Sequence, residues 1–168
     1  ALDTFRVIGG LYAEAVQLVT MDPEIKSVKD LAGKKVSIGA SGSGVYFNAV
    51  DILAAAGLTE ADIQPQYQSF ADSADALKDG KIDAFFCTAG APTVAITDLS
   101  TTTGIVLVEI DAEHLAKLQA DYGFYAEYTV PAGTYKGIDA DAKTVAVKAT
   151  FIVSNDLDEE TVYQLTKA

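Results

Sequence analysis

The sequence has few of the residues that build metal centres, disulfides and phosphate-binding surfaces. Among its 168 residues there is one cysteine, one histidine and a single arginine, Arg6. One cysteine excludes an intramolecular disulfide, and one histidine with no cysteine nearby does not make a metal site. The formal net charge of -12 would repel a nucleic-acid backbone. We therefore expect no metal, no cofactor and no nucleic-acid partner.

Long apolar runs are also missing, since none approaches the roughly 20 residues that a membrane span needs. The hydrophobic content of 49% is nevertheless enough for a well-filled core. The chain starts at Ala1 with no leader, and its last segment, 158–168, has helical character without a terminating glycine or proline. We therefore expect a piece of a longer protein.

Strands and helices alternate over much of the chain, as judged from apolar periodicity and capping residues. The predicted order is strand 35–39, helix 41–56, strand 64–68, helix 69–80, strand 82–87, helix 92–99, strand 105–110 and a helix capped by Asp111. Short connections between such elements favour parallel strands covered by helices. Further strands are predicted over 5–8, 16–20, 125–130 and 145–153. The fold class is therefore α/β, with three layers, a largely parallel sheet and helices on both faces.

A Gly/Ser-rich turn, Ser41-Gly42-Ser43-Gly44, lies between a predicted strand end and a predicted helix start. Free amides and the helix dipole at such a point favour an anion, and the glycines allow a close approach. The alternative is an ordinary N-cap with flexible glycines. The turn lacks the spacing and the lysine of a nucleotide-binding loop.

A second turn, Thr88-Ala89-Gly90-Ala91-Pro92, also joins a strand end to a helix start. Ligands of open α/β sheets bind outside the carboxyl ends of strands. Two such turns from neighbouring strands would therefore face one crevice, although an ordinary connecting loop is the alternative.

Catalytic machinery is not evident, so we predict that the protein is not an enzyme. The histidine, His114, is expected on the surface of a helix, and there is no Gly-x-Ser-x-Gly turn. Cys87 is expected to be a small core residue. The alternating tyrosines, at 122, 125 and 128, could line a cleft or cover an edge of the core.

Two segments resemble sequence motifs of the type II periplasmic binding proteins. LysR-type regulators share the fold of these proteins. The two segments are 25–36 (IKSVKDLAGKKV) and 77–84 (LKDGKIDA). Four further features, in this order and spacing, resemble the TAXI family, whose members are solute receptors of tripartite ATP-independent (TRAP) transporters. They are 11–14 (LYAE), 41–44 (SGSG), 89–92 (AGAP) and 130–135 (VPAGTY).

This resemblance implies an extracytoplasmic receptor, in the periplasm or as a cell-surface lipoprotein, that captures a small anionic or zwitterionic solute such as glutamate. Its partners would be the solute and the transporter's membrane subunits. Residues 27–130 would form the complete second lobe of the type II fold. Residues 1–26 and 131–168 would supply hinge strands and remnants of the first lobe. The expected solute-binding residues are Tyr12, Ser41, Gly42, Ser43, Gly44, Thr88, Ala89, Gly90 and Ala91.

Two other functions are compatible with the same sequence motifs. One is the effector-sensing domain of a LysR-like regulator, although no basic helix-turn-helix is visible in the sequence. The other is an enzyme built on the same fold. Because half of the cleft would be missing, we also expect the isolated chain to bind solute weakly or not at all, and to self-associate through unpaired strands.

Overall fold

The computed structural model describes residues 3–167. Its strands and helices, in chain order, are β1 (Phe5–Thr20), β2 (Lys35–Ser37), α1 (Gly44–Ala55), β3 (Gln64–Gln66), α2 (Phe70–Lys78), β4 (Ala84–Ala89), α3 (Val94–Thr102), β5 (Val106–Val108), α4 (Ala112–Asp121), β6 (Ala126–Val130), β7 (Ala142–Ser154) and α5 (Glu159–Lys167). Short 3-10 turns span Val28–Leu31 and Glu60–Asp62. Within 3–167, no helix combines the length and the apolar character that crossing a bilayer requires.

The chain divides into two compact units. The larger is Glu14–Val147, and the smaller combines the described residues 3–13 and 148–167. The segment predicted as the second lobe, 27–130, lies inside the larger unit, which also includes 14–26 and 131–147. The long strands β1 and β7 each contribute residues to both units.

The strands form one sheet in the order β3-β2-β4-β1-β7-β6, with β5 also pairing with β1. β2 is parallel to β3 and to β4. β1 is antiparallel to β4 and to β5, and β6 is antiparallel to β7. The predicted α/β class is confirmed, but the sheet is mixed and not largely parallel as predicted, with parallel pairing of β2 to β3 and to β4. The sheet is mixed because β1, which precedes the alternating elements, enters it next to β4.

Each face of the sheet carries its own apolar core, because alternate side chains of a strand point to opposite faces. Val16 and Leu18 of β1 face a cluster built with α1 and α4. Ala15 and Val19 face a second cluster, built with α2 and α3. The expected three layers, with helices on both faces, are therefore present.

Polar side chains cap the N-termini of α2 and α4, as the sequence predicts. The Ser69 hydroxyl accepts a hydrogen bond from the Asp72 amide at 3.2 Å, and Asp111 accepts one from the His114 amide at 3.0 Å. Helix α1 begins later than predicted, at Gly44, with Ser43 as its N-cap. Its predicted end is confirmed, because Gly57 has a φ of 82° and the next amide, at Leu58, returns to the Leu53 carbonyl.

Two further sequence-based predictions are wrong. The segments 5–8 and 16–20 are not separate strands but parts of β1, which continues through Gly9 and Gly10. His114 is not a surface residue, since its side chain is 9% exposed. Its Nδ1 lies 2.9 Å from Asp111 Oδ1, so the capping carboxylate holds the ring against the helix.

Cys87 lies in β4 and is fully buried, as predicted. Burial raises the pKa of its thiol from about 9 to about 12. We therefore expect the folded protein to react very slowly with iodoacetamide at mildly alkaline pH, because the thiolate is the nucleophile. Mass spectrometry should show rapid labelling after unfolding in urea. Comparable rates in the folded and unfolded chain would contradict this burial.

Gly39 joins β2 to the turn before α1, with a φ of +84°. A Cβ atom there would lie 2.9 Å from Val45 Cβ. Gly39→Ala should lower the free energy of unfolding by roughly 2–4 kcal/mol, because backbone strain and a clash add. Gly33→Ala is the matched control, since Gly33 has a φ of +74° but nothing within 4 Å. Urea titrations that give equal losses for both variants would show that the Val45 contact is unimportant.

Candidate functional site

The two predicted turns lie at the same edge of the sheet. β2 and β4 are parallel neighbours, with Val36 opposite Ala84 and Ser37 opposite Phe85. Their carboxyl ends therefore meet at one edge. The turn that follows β2 leads into α1, and the turn that follows β4 leads into α3.

A cavity of about 440 Å³ lies at this edge, and it brings both turns together. The residues that line it are Glu14, Gly44, Val45, Phe47, Asn48, Thr88, Phe124 and Val147. All of them belong to the larger compact unit. Gly44 comes from the first predicted turn, and Thr88 comes from the second.

The register of β1 against β4 explains why Glu14 lies in this cavity. Val16 pairs with Thr88, so both side chains lie on the same face of the sheet. Glu14 precedes Val16 by two residues and therefore shares that face. Because β1 runs antiparallel to β4, this early residue of β1 lies level with the carboxyl end of β4.

The first turn is shaped for the start of α1. Ser41 and Gly42 are exposed, and Ser43 is half-buried. The Ser43 oxygen accepts a hydrogen bond from the Tyr46 amide at 3.2 Å, which leaves its own hydrogen as a donor. The first amides of a helix have no partners within the helix. The turn can therefore offer a hydroxyl donor and backbone amides to an anion.

Asn48 connects the cavity to the core, and the sequence analysis did not identify it. Its side-chain oxygen accepts a hydrogen bond from the Thr88 hydroxyl at 3.0 Å, and its amide nitrogen donates to the Tyr125 hydroxyl at 2.9 Å. Tyr125 in turn donates to Asp51 at 2.8 Å. Burial raises the pKa of Tyr125, so this hydroxyl stays protonated at neutral pH. The chain of bonds fixes the orientation of Thr88.

A second set of bonds, Gln17–Thr93–Tyr135, holds the turn after β4. Gln17 Nε2 donates to the Thr93 hydroxyl at 3.0 Å, and that hydroxyl donates to the Gly90 carbonyl at 2.9 Å. The Tyr135 hydroxyl accepts from the Thr93 amide at 2.9 Å and donates to Gln17. Burial raises the pKa of Tyr135, which keeps this donor protonated. Tyr135, at the end of segment 130–135, thus helps to hold the turn after β4.

The predicted site residues are only partly brought together. Gly44 and Thr88 line the cavity, whereas Ser41, Gly42 and Ser43 lie on the adjoining turn and are not among its lining residues. Ala89 and Ala91 pack against the second apolar cluster, and Gly90 binds Thr93 through its carbonyl. Tyr12 lies on β1 in the smaller compact unit, with 55% of its surface exposed.

The tyrosines at 122, 125 and 128 have different surroundings. Tyr125 is buried, Tyr128 is half-buried, and Tyr122 is exposed. None of the three lines the cavity at the strand ends. Of the two interpretations left open by the sequence, Tyr125 therefore covers an edge of the core.

A larger hollow, of about 620 Å³, lies along α2 and α3 on the other side of the sheet. Its walls are mainly side chains of the two helices, such as Phe70, Ala74 and Leu99, and Thr93 from the turn after β4 also lines it. Across residues 3–167, no cluster of three or more His, Cys, Asp or Glu side chains could hold a metal ion.

The family of the chain follows from its sequence as a whole. A model of the NMT1-like family matches residues 1–168. The chain belongs to the NMT1-like family.

Solved structures with a similar fold come from solute-binding proteins. The Escherichia coli periplasmic aliphatic sulphonate binding protein SsuA has a TM-score of 0.50 and 22% identity, over 86% of this chain and 37% of its own. An ancestral arginine-binding protein bound to glutamine has a TM-score of 0.53 and 16% identity, over 97% and 55%. The Streptococcus pneumoniae amino acid ABC transporter substrate-binding protein AbpA, bound to L-arginine, has 0.52 and 15%, over 98% and 53%. This NMT1-like chain thus shares their fold and spans about half of their length or less.

Tyr135→Phe tests the bonds that hold the turn after β4. The change leaves the half-buried Thr93 amide and the buried Gln17 side-chain oxygen without a partner, so the free energy of unfolding should fall by roughly 1–3 kcal/mol. Tyr163→Phe is the control, since Tyr163 is 54% exposed. Urea unfolding measures both. Equal stability of the two variants would show that water replaces the Tyr135 hydroxyl.

Proposed function

We propose that this chain is the ligand-binding part of an extracytoplasmic solute receptor, which captures a small anionic or zwitterionic solute for a membrane transporter. The observation that carries the proposal is the cavity at the carboxyl ends of β2 and β4. Open α/β sheets bind ligands at this position. A few polar groups, at Glu14, Asn48 and Thr88, lie among apolar walls, an arrangement that suits ligand binding.

The relatives support a solute with an anionic group. SsuA is named for aliphatic sulphonates, and AbpA is an amino acid receptor bound to L-arginine. Sulphonates and amino acids both carry an anionic group. In this chain, the exposed turn Ser41–Gly44 at the start of α1 is the part best suited to such a group, through its hydroxyls and free amides.

The proposed transporter partner is of the TRAP type, with the chain acting as a TAXI receptor. This finer proposal depends on the phrases 11–14, 41–44, 89–92 and 130–135. One contact of the last segment supports the proposal. The Tyr135 hydroxyl accepts a hydrogen bond from the Thr93 amide and so helps to hold the turn that contains 89–92. AbpA serves an ABC transporter, so a shared fold is compatible with different membrane partners.

The proposed domain organisation assigns 27–130 to the second lobe, with hinge strands and first-lobe remnants in 1–26 and 131–168. The long strands support it, since β1 and β7 each pass from the larger compact unit into the smaller one. A receptor of this kind closes around its solute, and binding shifts the population toward the closed form.

Serine substitutions test the first turn. In the receptor that contains this chain, Ser41→Ala and Ser43→Ala should together weaken solute binding by about 1–3 kcal/mol, the scale of a hydrogen bond to a charged group. Calorimetry with amino acids and dicarboxylates measures the affinity. Because Ser43 is also an N-cap, the double variant should lose about 1 kcal/mol of stability as well.

Ser69→Ala is the matched control for the lost cap. The Ser69 hydroxyl caps α2 by accepting a hydrogen bond at 3.2 Å, the same distance as at Ser43. Ser69 does not line the cavity, so its variant should lose stability and keep its affinity. Unchanged affinity in the Ser41/Ser43 variant would remove the turn from the binding site.

A further inference from the structure

Glu14 is the one ionisable side chain among the described residues that line the cavity. It is half-buried. None of the ion pairs formed within residues 3–167 involves it. A carboxylate that is partly removed from water and unpaired gains most from a positively charged partner.

Two aromatic rings, Phe47 and Phe124, line the same cavity as Glu14. They are 57% and 59% exposed, so both rings are accessible to a ligand in the cavity. Each ring has aromatic neighbours that support it, since Phe47 lies 5.3 Å from Tyr46 and Phe124 lies 4.7 Å from Tyr125 between ring centroids. Aromatic rings beside a carboxylate are favourable surroundings for an organic cation.

The charge of the cavity also disfavours an anion next to Glu14. No lysine or arginine of the described chain lines it, so nothing there would offset the repulsion between two carboxylates. Such repulsion contributes to specificity by rejecting the wrong ligand. A solute that is purely anionic would therefore meet a favourable turn at α1 and an unfavourable charge at Glu14.

We propose that Glu14 binds a positively charged amino group of the solute, so that the receptor selects zwitterions over acids that lack the amine. This inference rests on the proposed function, because it assumes that the solute occupies this cavity. The carboxylate accepts hydrogen bonds from the ammonium group, and Phe47 and Phe124 cover the carbon atoms beside it. The anionic end of the solute then lies toward the turn at the start of α1.

Matched pairs of compounds test this selectivity. The probes are L-glutamate, L-glutamine and L-leucine, each compared with the acid that lacks its amine, namely glutarate, glutaramate and isocaproate. Two-dimensional NMR of the labelled receptor that contains this chain reports binding through the amide signals of Asn48 and Thr88, and it detects weak complexes. At least one amino acid should bind about tenfold more tightly than its deaminated partner, the ratio that corresponds to about 1.4 kcal/mol.

Three variants assign the effect to the charge of Glu14. Glu14→Gln keeps the shape of the side chain and should reduce the tenfold preference to near unity. Glu14→Asp keeps the charge and should retain a measurable preference. Glu127→Gln is the control, since Glu127 is exposed on β6 and does not line the cavity, and it should leave the preference unchanged. The spectrum of each variant shows whether it is folded.

The two ways of failing are distinguishable. If the deaminated acids bind as tightly as the amino acids, or if Glu14→Gln keeps the preference, the role of Glu14 is wrong and the receptor proposal stands. If none of the six probes shifts the signals of Asn48 and Thr88, the solute-binding proposal for this cavity is wrong, and the role of Glu14 falls with it.

Discussion

The central strand β4 is the element on which the rest of the structure depends. Its first four side chains, from Ala84 to Cys87, have no exposed surface. It pairs in parallel with β2 on one side and antiparallel with β1 on the other. Both of its faces are covered by helices, so alternate residues enter two different cores. A shift of one residue in the pairing of β1 with β4 would turn the side chains of the shifted strand to the opposite face of the sheet. Residues that now pack in one core would then point into the other.

The same register decides the chemistry at the end of the strand. Glu14 and Thr88 lie on the α1 side, where they line the cavity, and Gln17 lies on the opposite side with Thr93 and Tyr135. The candidate site is thus backed by two polar networks, one on each face. In the one next to the cavity, the carbonyl oxygen of Asn48 fixes Thr88. The other fixes the turn that follows Thr88. A site held on both faces keeps its geometry better than a free loop does.

Much of the fold could be predicted from local patterns. The caps at Ser69 and Asp111 and the glycine end of α1 at Gly57 depend on neighbours within five residues, so the sequence carries them directly. The continuity of β1 was missed, because two adjacent glycines suggest a break and the partner strand that spans them is far away in sequence. His114 was misplaced because its burial depends on the packing of α4 and on its bond to Asp111.

The positions of the two turns were predictable, whereas the side chains that line the cavity beside them were not. The turns at 41–44 and 88–92 were located correctly because strand ends and helix starts have local signals. Asn48 and Gln17 were missed because their partners lie far along the chain, for example 40 residues from Asn48 to Thr88. Glu14 was missed because the register of β1 against β4, which brings it to the cavity, has no local signal. A polar residue inside an apolar helical stripe, as at Asn48 between Val45 and Ile52, is the one signal that could have indicated it.

The bonds among Gln17, Thr93 and Tyr135 have a consequence for the order of folding. The two bonds of Gln17 span 76 and 118 residues. Contacts this distant require closure of long loops before they contribute, and chains rich in them fold slowly. During synthesis on the ribosome, β4 and the turn after it emerge well before Tyr135. The turn beside the candidate site therefore acquires its final geometry late, after the chain that forms its support has been made.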